Sequence, residues 1–425
     1  MALATNSWIA VFLLLGSTSI VPAEQAAIEV ESLLQQYSHP IAIEDGALKG
    51  PGAAFLASAA AGTQFVALGE AHNNREIPQF ATALFRLLHE REGFEFLILE
   101  QDPVMMERVS RPPAKGDLEA IRALARQYLK GFVFLSDQEL RLLAEVGALA
   151  DSQAAVIWGC EQAFGVTHIL DELRERAPTD EAREYVDARR QESAAAEAVR
   201  DLEKGHYIFD AQLAPVADEL DRLFGGAADS RAAFLIQAIR KSDEIYGYYA
   251  AGDRGELPGY YSNNFVREEY MKTRCLAEYQ DALERDGRPP KGLLKFGHWH
   301  LYRGLTPTRV PSLGHFMDDF ARVNGLGFFS IAIVPFNPRN DYGAFAAHES
   351  SRYLKPFAPL AADGRWILVD LRPFREYPRR RALIATAALE GEAAEELAAL
   401  IYGFDALLLL GGAEPATFEV TGVPY

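Results

Sequence analysis

Short, continuous apolar runs separated by helix-length segments constrain the fold of this sequence more than any other feature. The first run, 65–68, stops at Gly69, and residues 77–92 then have the spacing of an amphipathic helix. Strands that are apolar throughout are typical of a parallel sheet covered on both faces. The sequence therefore predicts an α/β fold with a mainly parallel sheet flanked by helices, with strands at 65–68, 95–100, 154–159, 292–297, 327–334, 366–371 and 404–410.

The connection between the first two predicted strands has the length of a crossover helix. A right-handed crossover of this kind places two parallel strands side by side, so residues 65–68 and 95–100 are expected to be neighbours. Further helices are predicted at 26–37, 118–129 and 137–149. Residues 39–52 are punctuated by Pro and Gly and are interpreted as a loop.

A large helical insertion is predicted between the third and fourth strands. From about residue 167 to 286 the chain is charged and Ala-rich, and it has no convincing strand pattern. The chain has 425 residues, 49% of them apolar, which is enough for a large core. We therefore interpret residues 24–425 as one α/β domain with a helical insertion at about 167–286.

The charge balance excludes several classes of partner. The chain has 60 acidic and 42 basic residues, which gives a formal net charge of −18. This balance argues against nucleic acid or an anionic membrane surface as the main partner. A small molecule or a peptide is the expected substrate, and the sequence carries no indication of the oligomeric state.

The first 23 residues resemble a secretory signal peptide. An apolar core at 8–16 is followed by Val21-Pro-Ala23, a small-residue cleavage site, although no Lys or Arg precedes the core. The alternatives are an uncleaved anchor or a misassigned start, and the apolar run is too short to span a bilayer comfortably. The expectation is an exported protein, periplasmic or secreted, with no stable membrane span.

Cys160 and Cys275 are the two cysteines of the sequence. No Cys-x-x-Cys metal or redox motif is present. In an exported chain two cysteines could form one bridge, but their spacing cannot show that they meet.

Acidic and imidazole side chains follow the ends of separate predicted strands. Glu70 and His72 follow the first strand, Glu100 ends the second, and His298 and His300 follow the fourth, while Glu161 follows the third. Because the carboxyl ends of parallel strands meet at one edge of a sheet, these side chains are expected to converge.

Imidazole and carboxylate groups together can activate water, because His titrates near neutrality and a carboxylate fixes its tautomer. The same set could hold a divalent metal that lowers the pKa of bound water. Each residue also has a structural alternative. Glu70 could cap the following helix, His72 could be a hydrogen-bonded structural histidine, and Glu100 could be a solvated strand-end acid.

The late histidine pair has two arrangements. On an extended segment His298 and His300 would face the same way. Alternatively, one of them enters the site and the other packs beneath it, and His300 is then the better candidate. Arg75 and Arg303 could bind a substrate carboxylate or an oxyanion, and surface salt bridges are an equal alternative.

The motifs around these residues resemble those of the erythromycin esterase-like/ChaN-like superfamily, with the TraB and TIKI proteins as distant relatives. The resemblance rests on Gly69-Glu-Ala-His72-Asn, the acid at Glu100, and Phe296-Gly-His-Trp-His300-Leu-Tyr-Arg-Gly304. Looser matches to the esterase branch are Trp158-Gly-Cys-Glu-Gln162, Asn264-Phe-Val-Arg267-Glu-Glu-Tyr-Met271, Val369-Asp-Leu-Arg372 and Phe404-Asp-Ala. Each anchor is short, and their order along the chain gives the specificity.

The resemblance implies an α/β core with a helical insertion and a hydrolytic site that is metal-free or metal-assisted. It makes His72 the base that activates water, with Glu70, Glu100, His298 and His300 as the other catalytic residues. Arg75, Glu161, Arg267 and Arg303 are the substrate-binding candidates. The macrolide esterases carry an extra residue between the Glu and the His, whereas Glu70-Ala-His72 has the spacing of the ChaN and TIKI branches, which argues against macrolide hydrolysis.

Two functions from different classes follow. The first is an exported hydrolase of ester or amide bonds that uses His72 as general base. The second is a non-catalytic protein that binds haem or another iron-containing ligand, since ChaN-like members bind haem, with His72 or a residue near His300 as axial ligand. A member that kept the fold and lost the chemistry is a third possibility, against which the intact polar motif argues.

Overall fold

One nine-stranded sheet organises the part of the chain that the computed structural model describes, residues 23–149, 156–199, 206–210, 212–225, 229–257, 259–337, 339, 349–420 and 422. The strands are β1 (Ser38–Glu44), β2 (Ala47–Lys49), β3 (Phe65–Glu70), β4 (Phe96–Leu99), β5 (Ile157–Gly159), β6 (Gly292–Gly297), β7 (Phe328–Phe336), β8 (Trp366–Asp370) and β9 (Ala406–Gly411). Their order is β2-β1-β8-β9-β7-β3-β6-β4-β5. The predicted signal peptide lies outside the described residues, except for its last residue.

The central strands are parallel. Six neighbouring strands are parallel, in the order β9, β7, β3, β6, β4 and β5. Beyond β9, the sheet continues through antiparallel pairs with β8, β1 and β2. The α/β fold class with a mainly parallel sheet is therefore confirmed. The carboxyl ends of β3, β6, β4 and β5 lie along one edge, and this edge carries the polar side chains.

Helices cover both faces of the sheet, and this explains the continuous apolar strands. In β3, Val66 and Leu68 pack into one core cluster, and Phe65 and Ala67 pack into another. Because successive side chains of a strand point to opposite faces, a strand buried on both faces needs an apolar residue at every position.

The α-helices in the described residues are α1 (Ala23–Tyr37), α2 (Pro51–Ala60), α3 (Glu76–Glu92), α4 (Pro103–Val109), α5 (Leu118–Gln127), α6 (Asp137–Leu149), α7 (Thr167–Glu175), α8 (Asp180–Glu197), α9 (Tyr207–Asp210), α10 (Leu213–Phe224), α11 (Ser230–Asp253), α12 (Tyr260–Asp286), α13 (Leu313–Val323), α14 (Tyr377–Thr386) and α15 (Gly391–Gly403). Short 3-10 helices lie at Leu129–Gly131, His298–Leu301, Glu349–Leu354, Ala358–Ala361 and Arg372–Arg375. The described residues between β5 and β6 contain helices and no strand, as the sequence predicts. None of the helices described is both long and apolar enough to cross a bilayer.

The predicted neighbourhood of the first two strands is wrong. β3 and β4 both pair with β6, which lies between them, and Gly292 is in register with both Phe65 and Phe96. The crossover rule considers only the helix that joins two strands. It cannot anticipate that a strand following the whole helical insertion will enter the gap.

The predicted loop at 39–52 is also wrong, because this segment contains the β1–β2 hairpin and the start of α2. Asp45 and Gly46 form its turn with φ of 50° and 72°. An Asp-Gly dipeptide at positive φ is a strong signal for a two-residue hairpin turn. The Asp45-Gly46 dipeptide therefore indicated a hairpin. The Pro and Gly residues around it favoured the prediction of a loop instead.

Candidate functional site

The last residue of β3, Glu70, and the turn that follows it, with His72, lie at the edge of the sheet. At Gly69 a Cβ atom would lie 2.8 Å from the Phe404 ring, so only glycine allows this close approach. The Asn74 side-chain oxygen accepts hydrogen bonds from the backbone N–H groups of Glu76 and Ile77, each at 2.9 Å. Asn74 therefore caps α3, and Glu70 does not have that role.

Glu70 instead fixes the orientation of His72. His72 Nδ1 lies 3.1 Å from Glu70 Oε1, and Phe134 stacks on the imidazole with ring centroids 4.2 Å apart. The Glu70 side chain is buried, whereas 34% of the His72 side chain is exposed. A carboxylate at Nδ1 requires the proton on that nitrogen and leaves the Nε2 lone pair available.

The other imidazole nitrogen faces a second carboxylate. His72 Nε2 lies 3.9 Å from Glu100 Oε2, and a Cβ atom on Gly297 would lie 2.8 Å from Nε2. Burial lowers the pKa of His72, but the hydrogen bond to Glu70 and the charges of Glu100 and Glu70 outweigh burial, so the pKa is raised. The protonated form of His72 is therefore stabilised from both sides.

Lys295 lies against Glu70 and Glu139, and neither Lys295 nor Glu139 is among the residues predicted from the sequence. Lys295 Nζ donates to Glu70 Oε1 at 2.9 Å and to Glu139 Oε1 at 2.6 Å, and all three side chains are nearly buried. Burial raises the pKa of Glu70, but the Lys295 charge and the hydrogen bond with His72 outweigh it and lower the pKa. A lysine inside the apolar run 292–297 was the available signal, because a buried charge requires a partner.

Glu100 lies at the centre of the polar cluster. Its Oε2 accepts the backbone N–H of Gly297 at 2.6 Å, and its Oε1 accepts an Arg267 N–H at 2.7 Å. Burial raises the pKa of Glu100, but the charges of His300, His72 and Arg267 and the Gly297 N–H outweigh it and lower the pKa to about 2. Glu100 is therefore a permanent anion between two imidazoles.

Arg267 comes from α12, in the helical insertion. Its Nε donates to Glu161 Oε2 at 2.8 Å, and the same guanidinium contacts Glu100. Glu161 follows β5 and is fully buried. The structure thus brings Glu161 and Arg267 into the cluster, where Arg267 ties the insertion to the sheet edge.

His298 and His300 do not face the same way. They lie in a 3-10 helix rather than on an extended segment, so two residues of separation point in different directions. His300 is buried, with Nδ1 2.7 Å from Glu268 Oε1 and Nε2 3.4 Å from Glu100 Oε1. Burial lowers the pKa of His300, but Glu100 and Glu268 outweigh it, and the pKa is raised.

His298 is a different kind of group. Its ring lies 4.7 Å from the Phe404 ring, between centroids, and burial lowers its pKa to about 4. His298 is therefore neutral at neutral pH.

Glu268 orients His300, and it also accepts the Leu313 backbone N–H at 2.7 Å. The sequence did not indicate this role, because the neighbours of Glu268 are charged residues of an ordinary helix.

The two remaining arginine candidates lie apart from the cluster. Arg303 Nη2 pairs with Asp405 Oδ1 at 2.7 Å, and its Nη1 lies 3.6 Å from Asp318 Oδ1. The backbone N–H of Arg75 donates to the Glu414 carbonyl at 3.0 Å. Neither arginine lines the cavity beside His72.

This cavity has a volume of about 730 Å³. One wall is polar and carries His72, Glu100, Arg267, His298 and His300. The other walls are mainly apolar and aromatic, formed by Val133, Phe134, Tyr249, Trp299, Ile333, Val334, Pro335 and Tyr353. A cavity that is largely apolar with a few convergent polar groups is the usual form of a small-molecule site.

Solved structures with a similar fold are known, although neither a family model nor a curated protein sequence matches this chain. A structure described as a succinoglycan biosynthesis protein has a TM-score of 0.55 and 14% identity, and the match covers 92% of this chain and 98% of that one. A Bacillus cereus protein has a TM-score of 0.54 and 15% identity over 93% and 99%. A mutant of the erythromycin esterase EreC in its open conformation has a TM-score of 0.52 and 15% identity over 86% and 95%.

The chain has an erythromycin esterase-like fold. The resemblance inferred from the motifs is thus confirmed at the level of the fold. At 14–15% identity the likeness concerns the backbone, so the chemistry of the site has to be argued from its own side chains.

The donor set of this site does not suit a metal ion. Among the residues described, no group of three or more His, Cys, Asp or Glu side chains is arranged to hold one. Glu70 is already paired with Lys295, and Glu100 is paired with Arg267 and the Gly297 N–H. A divalent cation would have to displace these partners.

Haem does not suit the geometry of His72 either. The space in front of Nε2 is bounded by Gly297 and Glu100, and Phe134 covers one face of the ring. A porphyrin bound at Nε2 would have to displace Glu100 or the backbone at Gly297. Both nitrogens of His300 face carboxylates, so His300 is no better placed as an axial ligand.

Proposed function

We propose that this protein is a hydrolase in which His72 removes a proton from water and the resulting hydroxide attacks an ester or amide carbonyl. One observation carries the proposal. His72 is held at Nδ1 by the buried Glu70 and faces Glu100 with Nε2, while its ring borders a cavity of about 730 Å³.

The proton inventory of this reaction is simple. His72 Nδ1–H stays bonded to Glu70, and Nε2 accepts the water proton as the new carbon–oxygen bond forms. His72 then carries a positive charge, which the two carboxylates stabilise. When the tetrahedral intermediate collapses, Nε2–H returns the proton to the leaving oxygen or nitrogen.

His300 is the group best suited to stabilise the oxyanion. It lines the same cavity, its Nδ1 is held by Glu268, and its raised pKa favours the positively charged form. Both ring nitrogens of His300 face carboxylates, so His300 would act on the developing charge through its own positive charge and not through a direct hydrogen bond. Glu100 lies between His72 and His300 and keeps both imidazoles in place.

The cavity indicates the kind of substrate. Its apolar and aromatic walls fit a bulky, mainly uncharged acyl or alcohol group. The buried carboxylates Glu70, Glu100 and Glu161 disfavour an anionic group near the reacting bond. EreC is an erythromycin esterase, but the single residue between Glu70 and His72 argues for a different ester, lactone or amide.

The test is hydrolysis of a panel of neutral aryl esters, lactones including erythromycin, and aryl amides. His72→Asn is expected to lower kcat/KM for an accepted substrate by at least about 100-fold, the lower range for removing a general base. His315→Asn is the matched control, because His315 is exposed on α13 and does not line the cavity. Circular dichroism checks that both variants are folded.

Retention of full activity by His72→Asn would refute the proposal. Haemin titration of the wild type tests the binding alternative in the same preparation. A saturable Soret shift that His72→Asn abolishes, in a protein that hydrolyses none of the panel, would replace catalysis by ligand binding.

A further inference from the structure

The two cysteines meet in the core beside the site. Cys160 follows β5 and Cys275 lies on α12, and their Sγ atoms are 2.8 Å apart. Cys160 is fully buried and Cys275 is 2% exposed. They share an apolar cluster with Trp158 and Met271.

Both cysteines are held by fixed backbone. The Cys160 N–H donates to the Leu99 carbonyl at 3.0 Å and so continues the sheet pattern past β5. Cys275 lies on the buried face of α12, together with Met271 and Tyr279, each four residues away. Two thiols this close on two regular elements need only a small side-chain adjustment to bond.

We propose that Cys160 and Cys275 form a disulfide that fastens the helical insertion to the catalytic edge of the sheet. Arg267 and Glu268 lie eight and seven residues before Cys275 on α12, so all three share one side of the helix. Glu161 follows Cys160 directly and pairs with Arg267. The disulfide and the Arg267–Glu161 ion pair therefore join the same two elements in parallel.

The bond closes a loop that contains most of the helical insertion, because 115 positions separate the two cysteines. A cross-link over a loop of this length restricts the unfolded chain strongly. It also limits how far α12, which supplies the partners of Glu100 and His300, can separate from β5. This inference is independent of the hydrolase proposal, since it concerns the bond and the stability of α12.

The chemistry requires an oxidant, and a low-molecular-weight disulfide suffices. One cysteine thiolate attacks the oxidant's sulfur and releases one thiol, and the second cysteine then attacks the mixed disulfide and releases the other. Two protons leave the cysteines and the oxidant takes up two electrons. Burial and the neighbouring Cys275 thiol raise the pKa of Cys160 well above its usual range, so exchange is expected while the chain folds rather than afterwards.

The experiment synthesises the full chain in a cell-free system with either a glutathione redox couple or excess dithiothreitol. Folded protein from each arm is unfolded in urea with iodoacetamide and without reductant, and its intact mass is measured. Because the chain has two cysteines, the oxidised arm is expected to gain no carbamidomethyl group and the reduced arm two. Monomeric mass and a Cys160–Cys275 peptide after digestion identify the bond.

The thermal midpoint of the oxidised protein is expected to exceed that of the reduced protein by at least about 3 °C. Amide hydrogen exchange in residues 260–275 is expected to be slower in the oxidised form. Cys160→Ala/Cys275→Ala is the control, and its thermal midpoint should be the same in both arms. If the oxidised arm gains two carbamidomethyl groups, or carries glutathione on a cysteine instead of the internal bond, the inference is wrong.

Discussion

Lys295 Nζ lies 2.9 Å from Glu70 Oε1 and 2.6 Å from Glu139 Oε1, so one buried cation serves two buried carboxylates directly behind His72. Burial lowers the pKa of Lys295, but the charges of Glu139 and Glu70 outweigh it and raise the pKa. The lysine is therefore charged at neutral pH, and it supports the orientation of His72 through Glu70.

Lys295→Met is expected to destabilise the fold by roughly 3–5 kcal/mol, because it leaves the buried Glu70 and Glu139 carboxylates without the cation that they share. Lys295→Met/Glu139→Gln removes one of these charges and should recover part of the loss. Urea unfolding of the wild type, both single variants and the double variant completes the cycle. A double variant less stable than Lys295→Met would contradict the idea that the lysine serves both carboxylates.

Glu70→Gln is expected to shift the pH dependence of catalysis. In the proposed mechanism the neutral form of His72 is the base, and Glu70 and Glu100 raise its pKa, so the acid limb of kcat/KM should lie above the ordinary value of 6.5. Glutamine keeps a hydrogen-bond acceptor but removes the charge, so the His72 pKa falls and the limb should move to lower pH. The plateau rate should also fall, because the protonated His72 loses a stabilising charge.

The measurement is kcat/KM for an accepted ester from pH 5 to 9. Glu145→Gln is the matched control, because Glu145 lies on α6 and does not line the cavity. A limb that moves to higher pH in Glu70→Gln would show that Glu70 does not raise the His72 pKa.

Glu100 should contribute to acid stability. Its pKa of about 2 lies below the ordinary glutamate value of 4.5, so its contribution is fully present above pH 4.5 and is lost as pH falls from about 4.5 to about 2. A shift of this size corresponds to roughly 3 kcal/mol. Glu100→Gln should lower the free energy of unfolding at pH 7 and flatten its decline between pH 5 and 3. Equal pH slopes for the variant and the wild type in urea titrations would contradict the assignment.

Arg303 is expected to act on stability and not on substrate binding. The Arg303 guanidinium pairs with Asp405. Burial raises the pKa of Asp405, but the charge of Arg303 and the other partners of this carboxyl outweigh burial, so the pKa of Asp405 is lowered. Arg303→Met should reduce the free energy of unfolding by roughly 2 kcal/mol and leave KM unchanged. Arg75→Met should change neither, because the contact of Arg75 with Glu414 uses the backbone. A large rise in KM for Arg303→Met would restore Arg303 as a substrate-binding residue.

Residues at strand ends were predictable from sequence because topology alone brings them together. Glu70, His72, Glu100, Glu161 and His300 follow four strands whose carboxyl ends meet, and the apolar runs identify those strands. The position of β6 between β3 and β4 was not predictable, because it depends on competition among strands distant in sequence. The direction of His298 depended on a single turn of 3-10 helix that no spacing rule indicates.

Partners from elsewhere in the fold were harder to predict. Glu139 and Glu268 lie on amphipathic helices, where an acidic residue is ordinarily solvated. Their roles follow from burial against Lys295 and His300, which is a property of the tertiary packing. The contact between Cys160 and Cys275 is of the same kind, since 115 positions separate them.

Gly297→Ala tests the space in front of His72 Nε2. The new Cβ atom would lie 2.8 Å from Nε2 and 3.3 Å from Glu100 Oε2, so the partly exposed imidazole has to move away from its productive position. Displacement of a catalytic group by about 1 Å can cost about 100-fold in rate, so kcat/KM should fall by that order while the fold is retained. The Gly297 N–H that donates to Glu100 remains in the variant.

Gly69→Ala is the contrasting variant, because its Cβ would meet the buried Phe404 ring at 2.8 Å and should mainly reduce stability. Kinetics on an accepted ester and urea unfolding of both variants separate the loss of rate from the loss of stability. A Gly297→Ala protein with wild-type kcat/KM would show that water is not activated in the gap beside His72 Nε2.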